Sequence, residues 1–153
     1  MPTACLGLGS NLGDRSRNIH GAMEALVRNP GVQAVRLSPL YETAPVGPVA
    51  QGPFLNAAAV VTTTLSPHDL AALLRQLEQD AGREPLAQRQ RWGPRVLDLD
   101  LLLYDDLILD SPDLTIPHPR MHERWFVLRP LADIAPQVVH PCLHLTVAEL
   151  FAR

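Results

Sequence analysis

Asp98 and Asp100 stand two residues apart in the stretch RWGPRVLDLDLLLY, residues 91–104. On a strand, side chains at i and i+2 share a face, so both carboxylates project together while Leu97, Leu99 and Leu101 point the other way. Carboxylates so placed repel each other and are costly to bury unless a cation lies between them. Magnesium suits such a pair, because it prefers oxygen ligands and leaves its other positions to water and substrate phosphates. Arginines crowd the same stretch: Arg83, Arg89, Arg91 and Arg95 precede the aspartates, and Arg120 and Arg124 follow. Forked cations beside an acidic pair are what a metal-bound polyphosphate needs, which points to phosphoryl-type transfer. Trp92 could stack on a flat ring or on an arginine. His118, held between Pro117 and Pro119, is displayed on a loop where a phosphate contact is plausible.

Other chemistries fall away on composition. All 13 basic residues are arginine and lysine is absent, which excludes a Schiff-base lysine and the lysine of a G-x-x-x-x-G-K-[ST] loop. There is no H-E-x-x-H and no G-x-S-x-G, so neither the zinc-protease nor the usual esterase signature is present. Glycines at 7, 9 and 13 miss the dinucleotide fingerprint, whose third glycine would fall at Leu12, and are expected to serve a tight strand-to-helix turn. A net charge of −3 argues against a nucleic-acid partner or a polybasic membrane contact. Cys5 and Cys142 are isolated, so no disulfide framework or zinc knuckle is indicated. No secretory signal and no apolar run of spanning length is seen, and a cytoplasmic monomer is the expectation.

The elements that must position these groups follow from periodicity. Residues 3–9 read as a buried strand, and Asp14 to Arg28 as a helix with Ile19, Ala22, Met23, Leu26 and Val27 on one face. Residues 32–41 and 54–64 read as strands. Ser66-Pro67 opens a second helix with Leu70, Leu73, Leu74 and Leu77 inward, ended by Gly82. Residues 83–95 read as a loop, Val96 to Tyr104 as the strongest strand, and a short hairpin follows. A capping box in T-V-A-E starts a last helix at Thr146. The order β-α-β-β-α-β predicts one α+β domain over 1–153, a mainly antiparallel sheet with helices packed on it.

Four segments, GLGSNLGDR, YETAPVGPVAQGPFLNA, RWGPRVLDLDLLLY and LTIPHPRMHERWFVLRPLADIAP, resemble in order and spacing the 6-hydroxymethyl-7,8-dihydropterin pyrophosphokinases of folate biosynthesis. The resemblance covers nearly the whole chain, and RWGPR-x-LDLD is its most specific part. It implies a ferredoxin-like sandwich and transfer of pyrophosphate from ATP to the pterin hydroxymethyl group, releasing AMP, with two magnesium ions. By that resemblance Asp98 and Asp100 hold the metals, and Arg83, Arg91 and Arg95 join them as catalytic residues. ATP would be bound by Glu78, Arg91, Trp92, Arg95, Thr115, His118 and Arg124. The pterin pocket would comprise Thr43, Val46, Phe54, Asn56, Trp92 and Phe126. Asn56 suits the pterin's amide edge because a carboxamide both donates and accepts. Pro85 stands where many members carry a second loop arginine, which leaves Arg89 to supply that cation. Two other readings compete: a non-catalytic binding module on the same scaffold, and a different magnesium-dependent phosphoryl or nucleotidyl transferase.

Overall fold

A computed structural model describes residues 1–44, 51–82 and 96–153. Strands β1 (Thr3–Ser10), β2 (Val32–Leu37), β3 (Tyr41–Thr43), β4 (Phe54–Thr63) and β5 (Asp98–Tyr104) form one sheet in the order β2-β4-β1-β5, with β3 beside β4. Every pairing in it is antiparallel. This follows from two crossovers that each skip a place. Helix α1 (Arg15–Val27) carries the chain from β1 to β2 and leaves room for β4; α2 (Pro67–Asp80) carries it from β4 to β5 and leaves room for β1. A two-stranded hairpin, β6 (Leu109–Ser111) with β7 (Leu114–Ile116), follows, then α3 (Trp125–Ile134) and α4 (Val147–Ala152). The structure is therefore α+β with an antiparallel sheet and packed helices. Among the described residues no helix is long and apolar enough to cross a membrane.

Alternation along the strands makes two cores. Leu6, Leu8, Ala57, Ala59, Val61, Leu99 and Leu101 pack with Ile19, Met23 and Leu26 of α1 and Leu70 and Leu74 of α2. On the opposite face Cys5, Ala58, Val60, Leu102 and Leu103 pack with Met121, Leu128, Leu131, Val147 and Leu150. A register shift between Cys5 and Leu6 lets both Leu102 and Leu103 join this second core.

Several sequence expectations hold closely. Helix α1 falls within the span read for it, Ser66 caps α2 with Pro67 in the first turn, and Thr146 and Glu149 form the capping box of α4. The structure adds Asp14 as the cap of α1, its side chain accepting from Arg17 N–H. Three differ. The strand read over 32–41 is two strands, because Pro39 has no N–H to donate and the ladder breaks at Ser38. The buried Ser38 hydroxyl instead accepts from Ala58 N–H at 2.8 Å. Val27 lies outside the α1 stripe and is 40% exposed. Helix α3 was not expected at all: Pro130 inside it disguises the pattern, yet Leu128, Leu131 and Ile134 are buried on the inner face.

Candidate active site

Helices α1 and α2 cover one face of the sheet, whereas α3 and α4 cover only part of the other. The remainder of that second face carries the groups of interest. Directly opposed residues of antiparallel strands share a face. One row across the sheet reads Asp98, Gly9, Asn56, Tyr41, and the next reads Asp100, Gly7, Ala58. Phe54 and Thr43 face each other one step further on. The predicted acidic pair and the predicted Thr43, Phe54 and Asn56 therefore lie on one surface, with two glycines as the floor between them. A Cβ on Gly9 would stand 3.0 Å from Asn56 Oδ1 and 3.7 Å from the Phe54 ring. The expectation that Gly7 and Gly9 serve a turn is thus corrected: both lie inside β1, and the turn belongs to Gly13, at φ 69°. The Asn56 amide donates to Thr43 Oγ1 at 2.6 Å, which fixes the carboxamide and leaves one N–H and Oδ1 for a ligand.

The rest of GLGSNLGDR braces this floor. Asn18 Nδ2 donates to Leu12 O at 2.8 Å, to Ser10 Oγ at 3.1 Å and to Val96 O at 3.3 Å. Asn11 donates to Gln51 Oε1 at 2.7 Å and Gly52 O at 3.2 Å, and Arg15 to Pro53 O at 2.9 Å. The motif thus ties the end of β1 to the approaches of β4 and β5.

Burial pushes the Asp100 carboxyl up to about 7, with Asp98 adding to the rise and Arg75 and Arg124 opposing it. A buried carboxyl this reluctant to ionise, with a second carboxylate beside it, is the environment a cation relieves. Among the described residues no three His, Cys, Asp or Glu side chains gather to hold a metal. The His118/His122 and His140/His144 pairs are spaced four apart but neither lies on one helix. Two carboxylates with no third such ligand among the described residues fit magnesium, which completes its shell with water and phosphate oxygens, better than zinc.

Beside Asp100, along the β5 edge, lies a cavity of about 530 Å³. Its walls include Ala71 and Arg75 of α2, Leu114 and Thr115 of the β6–β7 hairpin, and His118. Thr115 and His118 thus line the same cavity as Asp100. Burial pushes His118 down to about 4, with Arg124 adding, so the ring is neutral at pH 7. Its Nδ1 accepts from Arg120 N–H at 3.2 Å, which assigns the ring proton to Nε2 as a donor. Arg124 opens α3 and sits 5.8 Å from the centre of the Phe126 ring. Glu78 is placed differently from its neighbours. Its side chain is 3% exposed, and Oε2 accepts from Leu99 N–H at 2.8 Å behind the aspartates. Arg83, Val46, Arg91, Trp92 and Arg95, with Arg89, lie outside the described residues. Sequence reading missed Arg75 and the glycine floor. The signal for Arg75 was its place one helical turn before the buried Glu78.

Residues 5–136 match the family described as 7,8-dihydro-6-hydroxymethylpterin-pyrophosphokinase (HPPK). The chain belongs to this family. It is 44% identical over 135 residues to the 2-amino-4-hydroxy-6-hydroxymethyldihydropteridine pyrophosphokinase of Bacillus subtilis, covering 88% of this chain and 79% of that one. The protein of the same name from Methylorubrum extorquens is 44% identical over 139 residues, covering 91% and 86%. Folic acid synthesis protein FOL1 of Dictyostelium discoideum is 45% identical over 141 residues, but the chain spans only 21% of its length. Among solved structures, an HPPK-DHPS in complex with substrates superposes with a TM-score of 0.74 at 15% identity, covering 99% of this chain and 43% of that one. The wild-type HPPK-DHPS of Plasmodium falciparum with SDX-DHP gives 0.72 at 18%, covering 99% and 43%. At such identities the likeness is one of fold, and it agrees with the α+β architecture of this HPPK-family chain.

Proposed function

We propose that the chain transfers the pyrophosphoryl group of ATP to the hydroxymethyl group of 6-hydroxymethyl-7,8-dihydropterin, giving the pterin diphosphate and AMP in tetrahydrofolate biosynthesis. One observation carries the reading: the Asp98/Asp100 pair lies between a cavity bounded by α2 and the β6–β7 hairpin and a floor edged by Phe54, Asn56 and Thr43. A nucleotide in the cavity would lead its phosphates over the aspartates towards a heterocycle on the floor. Asn56, oriented by Thr43, would read the amide edge of the pterin, with Phe54 and Phe126 against its ring faces and Val46 and Trp92 completing the pocket. Thr115 and the neutral His118 would donate to the nucleotide. Arg124, with Arg83, Arg91 and Arg95, would neutralise phosphate oxygens through forked contacts.

Asp98 and Asp100 would hold two magnesium ions, which supply charge neutralisation of the triphosphate and acidify the attacking hydroxyl. The chain's own part is positioning: it aligns the hydroxymethyl oxygen with the β-phosphorus and needs no side chain as general base. Glu78 would act from beneath the aspartates, through the β5 backbone. The two skipped crossovers and the sheet order β2-β4-β1-β5 support a ferredoxin-like sandwich acting as one domain.

The test is incubation with ATP, magnesium and hydroxymethyldihydropterin, following AMP and pterin diphosphate together. Equal amounts of both are expected from the unaltered chain, and loss of both from Asp98→Ala and Asp100→Ala with the fold retained. AMP without pterin diphosphate would point to another acceptor, and near-normal turnover by either variant would remove the metal assignment.

A further inference from the structure

Leu99 lies between the two aspartates, and its backbone is held in an unusual way. Asp98 and Asp100 stand opposite Gly9 and Gly7 of β1, while β5 is the last strand of the sheet. In an antiparallel ladder alternate residues turn their N–H and C=O away from the partner strand. At an edge these groups would be open to solvent or to another chain. Helix α2 closes both. Glu78 Oε2 accepts from Leu99 N–H at 2.8 Å, and Arg75 donates to the Leu99 carbonyl. The two side chains are themselves joined, Arg75 to Glu78 Oε1 at 3.2 Å. A buried carboxylate and a guanidinium fork therefore take the place of a further strand at the residue that sets the spacing of Asp98 and Asp100. Both groups project from adjacent turns of a helix whose Leu70 and Leu74 are anchored in the core, so the clamp is rigid at its base.

We propose that Arg75 is a positioning residue for the Asp98/Asp100 pair: by gripping the Leu99 carbonyl and orienting Glu78 onto the Leu99 N–H, it holds the two carboxylates at the separation a divalent cation needs. This rests on the reading of that pair as metal ligands. It differs from a charge effect in sign. A guanidinium close to a cation site repels the cation, so removing it would tighten metal binding if charge alone mattered. Removing a positioning group loosens binding, and outer groups of this kind alter metal affinity by about 10- to 100-fold.

The experiment is titration of the nucleotide-free protein with Mn²⁺ alone, read by water-proton relaxation, for the unaltered chain, Arg75→Met and Arg75→Lys, with steady-state kinetics on the same samples. Arg75→Met is expected to bind Mn²⁺ about tenfold more weakly despite having lost a positive charge, with kcat reduced about tenfold and KM for the pterin within about twofold. Arg75→Lys keeps the charge but not the fork, and is expected to fall between the two. Equal or tighter Mn²⁺ binding by Arg75→Met with unchanged kcat would overturn the role. So would a rise in KM for ATP alone, which would make Arg75 a nucleotide contact. If Arg75→Met does not fold, Arg75→Lys decides, since binding equal to the unaltered chain would remove the need for the fork. Failure of the unaltered chain to bind Mn²⁺ would instead overturn the metal reading, and this inference with it.

Discussion

At Asp100 the demands of folding and of chemistry oppose each other. Its carboxyl sits above the ordinary carboxylate range, at about 7, because burial and Asp98 both disfavour the ionised form. The folded chain therefore holds the proton more tightly than the unfolded chain does. Below the unfolded value both states are protonated and there is no penalty. As pH rises towards 7 the metal-free fold loses stability, and above 7 the loss is complete. Asp100→Asn in the presence of chelator should accordingly be the more stable protein at pH 8, by up to about 4 kcal/mol for a rise of about three pKa units, and little different near pH 4. Thermal unfolding across that range checks it; a variant no more stable than the parent at pH 8 would remove the case for a strained Asp100. Magnesium should narrow the gap by stabilising only the parent. His118 titrates the other way, held neutral by burial and by Arg124, so it donates as an uncharged ring throughout the working range.

Strand β1 contributes a surface through what it lacks. With Gly9 between Asp98 and Asn56, the floor stays low enough for a flat ligand to reach both. Gly9→Ala would press a methyl to within 3.0 Å of Asn56 Oδ1 and turn the carboxamide from its bond to Thr43. KM for the pterin should rise about tenfold or more, as expected when an oriented polar contact worth over 1 kcal/mol is lost, while Mn²⁺ binding is unchanged. An unaltered KM would show that the floor tolerates a side chain. This role was not legible in the sequence. Glycines at 7 and 9 look alike in a turn and in a strand, and only the register against Asp98, Asp100 and Asn56 separates the cases. The acidic pair was legible because i, i+2 spacing acts within one strand. Helix α3 was not, because Pro130 masks its period and its apolar residues are set by the α4 and sheet contacts they make.

At the scale of the whole molecule, charge type carries a prediction of its own. The chain has 13 arginines and no lysine, and six of the arginines fall between residues 83 and 124, on either side of the aspartates in the sequence. A lysine-directed acylating reagent should leave this pyrophosphokinase of folate biosynthesis active. A dicarbonyl reagent specific for guanidinium should abolish turnover, and ATP with magnesium should slow that loss. Protection by the pterin alone, with none from the nucleotide, would place the reactive arginines elsewhere. The sequence by itself determined the local pattern: two carboxylates at i, i+2, an arginine-rich approach, two amphipathic helices, one of them with a serine cap, and a capping box, all relations among residues a few positions apart. Only the tertiary structure decided that β1 would pass between β4 and β5, that its glycines would become a floor, and that Arg75 and Glu78 would close the edge behind the aspartates. Those arrangements join residues tens of positions apart, and strand order and register, which no local spacing encodes, determine which of them meet.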